Sequence, residues 1–286
     1  MHLFHSLIRS DAMEKQTEVN VLLPERLASG ERLPVLYLLH GHSQDHNAWL
    51  RQTALERYVE GKGLAIVMPN GYRSWYTDTA YGERGFAYLT DELPRIMQAT
   101  FPVSWERGDT FIAGLSMGGR GAFMLALMHP DKFARAAVLS MAGRNYECLK
   151  PYAEMTGPEF FKKAGAGELN LKNSAQDKGI NPRQINSIVK YPTVGDFLAS
   201  HENVWDRFIE VYKAGKLIDM YCAIGTKDHL YDFFCQFREL ATRLNAGIKF
   251  EEMEGYQHEW RFWDINIQRA IEFFGLKKGR DAGNPY

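Results

Sequence analysis

Cysteine is scarce in this chain. Three residues, Cys148, Cys222 and Cys235, form no C-x-x-C pair and leave one thiol over in any disulfide scheme. That excludes a disulfide-stapled scaffold and fits a reduced cytoplasm. An excess of either charge is also missing: 34 lysines and arginines stand against 35 acids, a formal charge of -1. Nucleic acids and anionic membrane surfaces both select for basic excess, so neither is expected as a partner. No stretch approaches the roughly 20 consecutive apolar residues of a membrane span. The opening Met1-His-Leu-Phe-His-Ser-Leu-Ile-Arg-Ser has too short an apolar run, and no small-residue cleavage site, for a signal peptide. Nor is there a G-x-G-x-x-G, a Lys-Ser or Lys-Thr after a glycine-rich turn, an internal repeat or a low-complexity segment, which removes the usual phosphate cradles and repeat folds.

The 286 residues, 45% hydrophobic and 24% charged, provide ample material for a core. They are organised around Thr110-Phe-Ile-Ala-Gly-Leu-Ser116-Met-Gly-Gly-Arg-Gly-Ala-Phe. The left half is short and apolar, as in a buried strand, and Gly119 to His129 reads as a helix that Pro130 follows. Between them Gly114-Leu-Ser116-Met-Gly118 matches G-x-S-x-G, the nucleophile elbow, in the strand–turn–helix context the motif needs. By itself the match arises often by chance, so its partners decide it.

Along the chain, alternation at Val19, Val21 and Leu23 predicts a half-exposed strand over 14–23. A near-continuous apolar run at 33–41 predicts a strand buried on both faces, as a parallel sheet demands, 64–69 another buried strand, and 134–142, 217–224 and 248–253 further strands. Helices are predicted over 48–60, 86–101 with Pro94 in or near its first turn, 231–244 and 260–274, and the tail from Lys277 is expected to fray. Residues 145–215 break the alternation. They read as loose helices over 158–163, 182–188 and 194–212, and are expected to form a cap over the strand ends of one α/β domain spanning 1–286.

A serine hydroxyl needs a base within reach and a group that orients the base. In such a sheet the order along the chain is serine, acid, histidine. His129 ends the elbow helix on the far side, and His201 falls in the polar excursion. His258, in the loop between the last strand and the last helix, is assigned as base. His229 is its rival, but its neighbour Asp228, in Gly225-Thr-Lys-Asp228-His229, is the best acid, and adjacent residues serve poorly as both base and orienter. Asp232 is the fallback acid. For the oxyanion, donors are expected from the backbone of Met117 and His42, with Ser43 beside it. A competing reading makes His40, His42, His46 and Asp45 a metal cluster, but the serine's partners account for this loop without one. Trp75 and Tyr76 are pocket candidates against a reading as aromatic core. Phe160, Phe161 and Trp205 could line the site from the cap, and Glu92 could simply begin a helix.

Taken together, these residues resemble the bacterial tributyrin-esterase group within the esterase D branch of the α/β hydrolases. The resemblance runs over nearly the whole chain: Val19-Asn-Val-Leu-Leu-Pro, Leu39-His-Gly-His with Asn47-Ala-Trp49, Pro69-Asn-Gly with Ser74-Trp-Tyr76, Glu92-Leu-Pro, Gly114-Leu-Ser-Met-Gly-Gly, Gly225-Thr-Lys-Asp with Leu230-Tyr, and His258-Glu-Trp with Phe262-Trp263. It implies an α/β-hydrolase fold, a mostly parallel sheet flanked by helices. It also implies a Ser116, Asp228, His258 triad cleaving short-chain acyl esters without a cofactor or metal, and homo-oligomers are common in the group. An S-formylglutathione thioesterase, a feruloyl esterase or a carbohydrate deacetylase would use the same machinery, and a non-catalytic binding module the same fold.

Overall fold

The structure, a computed structural model, describes residues 1–25, 27, 30–78, 82–141, 143–173, 179–180 and 182–276, the last segment without the side chains of 182 and 183. Its strands are β1 (His2–Ser10), β2 (Lys15–Leu23), β3 (Val35–Leu39), β4 (Ala65–Pro69), β5 (Thr110–Leu115), β6 (Arg135–Leu139), β7 (Asp219–Gly225) and β8 (Lys249–Met253). They form one sheet in the order β1-β2-β4-β3-β5-β6-β7-β8. The first two pairings are antiparallel and the rest parallel. This is the α/β-hydrolase fold.

The helices are α1 (Ala48–Gln52), α2 (Leu55–Val59), α3 (Gly85–Ala87), α4 (Leu93–Thr100), α5 (Met117–Met128), α6 (Gly157–Gly165), α7 (Pro182–Val189), α8 (Val194–Ala199), α9 (Val204–Lys213), α10 (Tyr231–Arg243) and α11 (Trp260–Phe273). The apolar runs of β3 to β7 bury both faces, so the core falls into two halves. On one face Tyr37, Ile112 and Val138 meet α5, α9 and α10 through Phe123, Phe208 and Phe237. On the other, Leu36, Leu38 and Ala113 meet α1, α2 and α11 through Trp49, Leu55, Phe262 and Ile267.

Several expectations change. β1 was not anticipated: it is an edge strand with Leu3, Phe4 and Leu7 exposed, so no buried face marks it in the sequence. β2 lies between β1 and β4 and is buried from Val19 to Leu23 on both faces, not half-exposed. The single helix expected over 48–60 is broken into α1 and α2. The Thr53 hydroxyl donates to the Trp49 carbonyl and accepts from Leu55 N–H, while Ala54 N–H goes to Asp264 Oδ1 at 2.9 Å, 210 residues away. The 86–101 helix is interrupted by a π turn, Tyr88–Glu92, just before Pro94, which has no N–H to continue the α pattern. Glu92 does more than start a helix: its carboxylate receives the Ser10 hydroxyl and the N–H groups of Asp11 (2.8 Å) and Ala12 (3.2 Å), closing the β1–β2 turn.

Within 145–215 the helix expected over 194–212 is two, α8 opened by a Thr193–Asp196 capping box and α9 by Asn203, whose side chain accepts from Asp206 N–H. Leu149, Phe160, Ile188, Val194 and Phe197 make a small core of their own, whereas α9 joins the main core against α5. β6 ends at Leu139, so the predicted strand is shorter; Ala142 and the tail from Lys277 lie outside the described residues.

Candidate active site

Ser116 sits between β5 and α5 with φ 52° and ψ −115°, a backbone conformation that side chains other than glycine avoid. Its neighbours make the turn sterically feasible. A Cβ at Gly114 would strike the Gly118 carbonyl, and one at Gly118 would strike the carbonyl oxygens of Leu39, the last residue of β3, and His40 just after it. The Ser116 N–H is tied to the Leu139 carbonyl (2.9 Å), which fixes the turn to the end of β6.

Asp228 and His258 arrive from the loops after β7 and β8, at the same sheet edge. His258 Nε2 lies 2.9 Å from Ser116 Oγ, and Nδ1 lies 2.7 Å from Asp228 Oδ2. The carboxylate can only accept, so Nδ1 carries the proton and Nε2 presents its lone pair to the serine hydroxyl. Asp228 Oδ1 accepts the Leu230 N–H (2.9 Å). Burial pushes the Asp228 carboxyl up. The hydrogen bond and charge of His258, the Leu230 N–H and the Ser140 hydroxyl together outweigh that and hold it below the ordinary aspartate value. The fallback acid Asp232 stands in the first turn of α10. The rival base His229 is two-thirds exposed, with Nδ1 3.5 Å from Asp228 Oδ1 and its ring 4.6 Å from that of His258.

Two supporting roles were not expected from the sequence, where Trp263 stands only within the quoted resemblance. Ser140, buried with φ 48°, follows β6, and its Oγ accepts the indole N–H of Trp263 at 2.9 Å. An indole only donates, so the single hydroxyl proton of Ser140 remains to be given away, and the Asp228 carboxylate is the acceptor beside it. The Trp263 ring stands edge-on to His258, 5.0 Å between centroids at 89°. The available signals were position alone: a serine at the carboxyl end of a strand, and a tryptophan just over one helical turn after the base.

Met117 is the first residue of α5, so its N–H is among those with no partner inside the helix, and it points to the helix's positive end. His42 lies in the loop after β3, with Nδ1 2.9 Å from Ser43 Oγ and its ring 5.7 Å from that of Trp75. His42, Met117, Trp75 and Ser116 line one cleft of about 200 Å³.

Tyr76 does not line it. The residue is 1% exposed, and its hydroxyl donates to the His40 carbonyl at 2.9 Å, so it braces the loop from beneath. The gain in burial places this aromatic in the core. Phe160 is likewise buried in the small core, Phe161 is exposed, and Trp205 packs against Phe237; none of the three lines the cleft, whose apolar wall comes from Tyr146, Phe197 and Phe233 instead.

The loop histidines are individually engaged. His40 Nε2 accepts the Gly71 N–H (2.9 Å), so Nδ1 donates to the Gly41 carbonyl (2.8 Å), and burial keeps this neutral ring below the usual histidine value. His46 Nε2 faces the Asn47 amide at 3.1 Å. Among the described residues, one trio of metal-type side chains brings ligand atoms within 4.8 Å of one another. It is Asp228, His229 and His258, already joined by the contacts above.

In sequence and fold the chain is similar to known esterases and serine hydrolases. The chain is 28% identical over 280 residues to an acetyl esterase of Caldicellulosiruptor saccharolyticus, covering 92% of this chain and 94% of that protein. It is 26% identical over 262 residues to the S-formylglutathione hydrolase of Mus musculus, covering 79% and 88%. Among solved structures, it is similar to FphF, a fluorophosphonate-binding serine hydrolase of Staphylococcus aureus, with a TM-score of 0.74, 26% identity and coverage of 96% and 98%. A model of the Esterase family, described as "Putative esterase", matches residues 10–274. With nearly its whole length inside that match, a G-x-S-x-G turn at its centre and an α/β-hydrolase sheet beneath, the chain belongs to the esterase family.

Proposed function

We propose that this protein is a serine carboxylesterase of the tributyrin-esterase branch, hydrolysing short-chain acyl esters through an acyl-enzyme intermediate. The reading rests above all on the hydrogen-bonded line from Ser116 Oγ through His258 to Asp228. As the Ser116 oxygen bonds to the ester carbonyl carbon, His258 Nε2 takes its proton, and the carbonyl electrons collect on the oxygen. The N–H groups of Met117 and His42 receive that oxyanion. Collapse expels the alcohol, which leaves with the proton from His258. Water then attacks the acyl-serine, gives its proton to the same nitrogen, and the acid departs as Ser116 is reprotonated. Asp228 orients the imidazole and stabilises its charged form. Each step balances within these side chains, the ester and water, so the scheme calls for no cofactor.

Trp75 fits the wall that sorts the acyl or alcohol group, and 145–215 fits a cap within a single 1–286 domain. Asp232 and His229 stay outside the proton path. The balanced charge supports a small-molecule ester as the partner in place of nucleic acid, and the cysteine usage supports a cytoplasmic setting. Among the described residues no helix is long and apolar enough to cross a membrane. A homo-oligomer remains part of the proposal by family resemblance alone.

A second reading is favoured by the names of two relatives. The mouse protein and a Staphylococcus aureus structure of 26% identity and TM-score 0.74 are S-formylglutathione hydrolases, so thioester cleavage on the same serine is the alternative. Feruloyl and carbohydrate esters complete the series. Labelling of Ser116 by a fluorophosphonate probe, and loss of p-nitrophenyl acetate hydrolysis in Ser116→Ala, are the expected results. Folded wild-type protein that neither labels nor turns over would mean a binding module. Side-by-side kcat/KM for acetyl, S-formylglutathione, feruloyl and acetylated-sugar substrates ranks the alternatives.

A further inference from the structure

Arg120 lies one helical turn beyond Ser116, its N–H bonded to the Ser116 carbonyl at 2.9 Å, and both residues line the same cleft. Its guanidinium is held from one side only. Nη2 donates to the Glu202 carbonyl (3.1 Å) and to Glu202 Oε2 (3.0 Å), while Nη1 is buried without a hydrogen-bond partner. The side chain keeps 15% of its surface exposed, whereas that of Glu202 keeps none. Glu202 cannot fully offset the charge of Arg120, because its other oxygen is shared by the Lys190 ammonium and the Tyr191 hydroxyl. Six buried side-chain polar atoms among the described residues have no partner: His46 Nδ1, Tyr88 OH, His129 Nε2, His201 Nε2, Arg207 Nε and Arg120 Nη1. Arg120 alone of these residues lines the cleft beside the serine.

A buried donor with no acceptor is costly unless something that binds there supplies one. The described residues lining the cleft include Arg120, Arg144, His42 and His229 and no carboxylate, while the acids Glu202 and Asp228 behind them are engaged by Arg120, Lys190 and His258. The planar guanidinium, already pinned by Glu202, presents its remaining N–H groups in a fixed orientation, which suits a carboxylate more than a single neutral oxygen. From this arrangement we infer that Arg120 is a specificity-determining residue, and that the preferred substrates are short esters carrying a carboxylate a few bonds from the scissile carbonyl. The inference rests on the esterase reading above and narrows its substrate class.

The test compares matched esters within each protein, so that any general loss of activity cancels. For a carboxylate on the acyl side, p-nitrophenyl hemisuccinate is set against p-nitrophenyl butyrate. For one on the alcohol side, 4-acetoxybenzoate is set against 4-acetoxybenzamide. In wild type, at least one pair favours the anion in kcat/KM. In Arg120→Gln that ratio falls about tenfold or more, mostly through KM, as expected for the loss of a charge-assisted hydrogen bond. Should Arg120→Gln fail to fold, Arg120→Lys reads the same ratio, which should fall by a smaller factor because the charge is kept and the planar fork that pairs with a carboxylate is lost. If wild type hydrolyses the neutral esters with no preference in either pair, or if the ratio is unchanged in the variant, the assignment of Arg120 is wrong while the esterase reading stands. If wild type hydrolyses none of the four esters, the esterase reading falls first.

Discussion

Ser116 pays in backbone strain for an exposed hydroxyl, and the contacts of its neighbours leave no room to relax that strain. Gly118→Ala would press a methyl into the Leu39 and His40 carbonyls, and should cost about 1–3 kcal/mol of stability while displacing the His42 loop. Thermal melts and kcat together would check both effects. Asp228→Asn should keep the fold and lower kcat by roughly 10³–10⁴, since an amide can present its N–H to Nδ1 and leave His258 in the wrong tautomer. The sign of its pH effect is definite. The folded-state value of Asp228 is depressed, so its ionisation contributes stability above the unfolded value, and that contribution is lost as pH falls through the lower folded one. The contribution of the Asp228 carboxylate to the difference in Tm between wild type and Asp228→Asn should therefore fall away below about pH 4, the ordinary aspartate range. At this scale the convergence of Ser116, Asp228 and His258 on one another was legible because glycines and strand ends mark their positions. Ser140, Trp263 and Tyr76 were not, because their roles depend on which neighbours the fold delivers to a hydroxyl or an indole.

Some elements departed from expectation for local reasons, as at Pro94 and at the Thr193 and Asn203 caps that divide 194–212, and others because a distant side chain intervened. The break between α1 and α2 depends on Asp264, which accepts from Ala54 N–H and from the Tyr58 hydroxyl, each at 2.9 Å. No window around Thr53 contains that information. Asp264→Ala should destabilise by about 1–3 kcal/mol, visible as a lower midpoint in urea. Glu202 works similarly between α8 and α9, as the acceptor that joins Arg120 of the elbow helix to Lys190 and Tyr191. Burial raises its carboxyl, but Arg120, Lys190 and the Tyr191 hydrogen bond outweigh burial and hold it below the usual glutamate value. Removing it leaves two cations without their shared partner, so Glu202→Ala should cost about 3–5 kcal/mol near neutral pH. That difference should shrink only as pH drops below the ordinary glutamate range.

For the molecule as a whole, the alternation of apolar runs was enough to expect a parallel sheet with helices on both faces. The antiparallel edge made by β1 was invisible, because its exposed residues gain little from burial and so carry no two-sided apolar pattern. The 145–215 region was legible as an interruption, yet its division between a small separate core and the main one was not. Since Leu149, Phe160, Ile188, Val194 and Phe197 form that small core, Phe160→Ala should loosen this region ahead of the sheet. Faster amide exchange in α6 to α8 with β3 to β7 unchanged is the expected pattern.

The most direct test of the proposed chemistry is peptide mass mapping of enzyme quenched in acid during turnover of p-nitrophenyl acetate. An acetyl group on Ser116 in wild type, and none in Ser116→Ala, is the result this mechanism requires. Turnover with no acyl-protein, or with the acetyl group on another residue and full activity in Ser116→Ala, would contradict it.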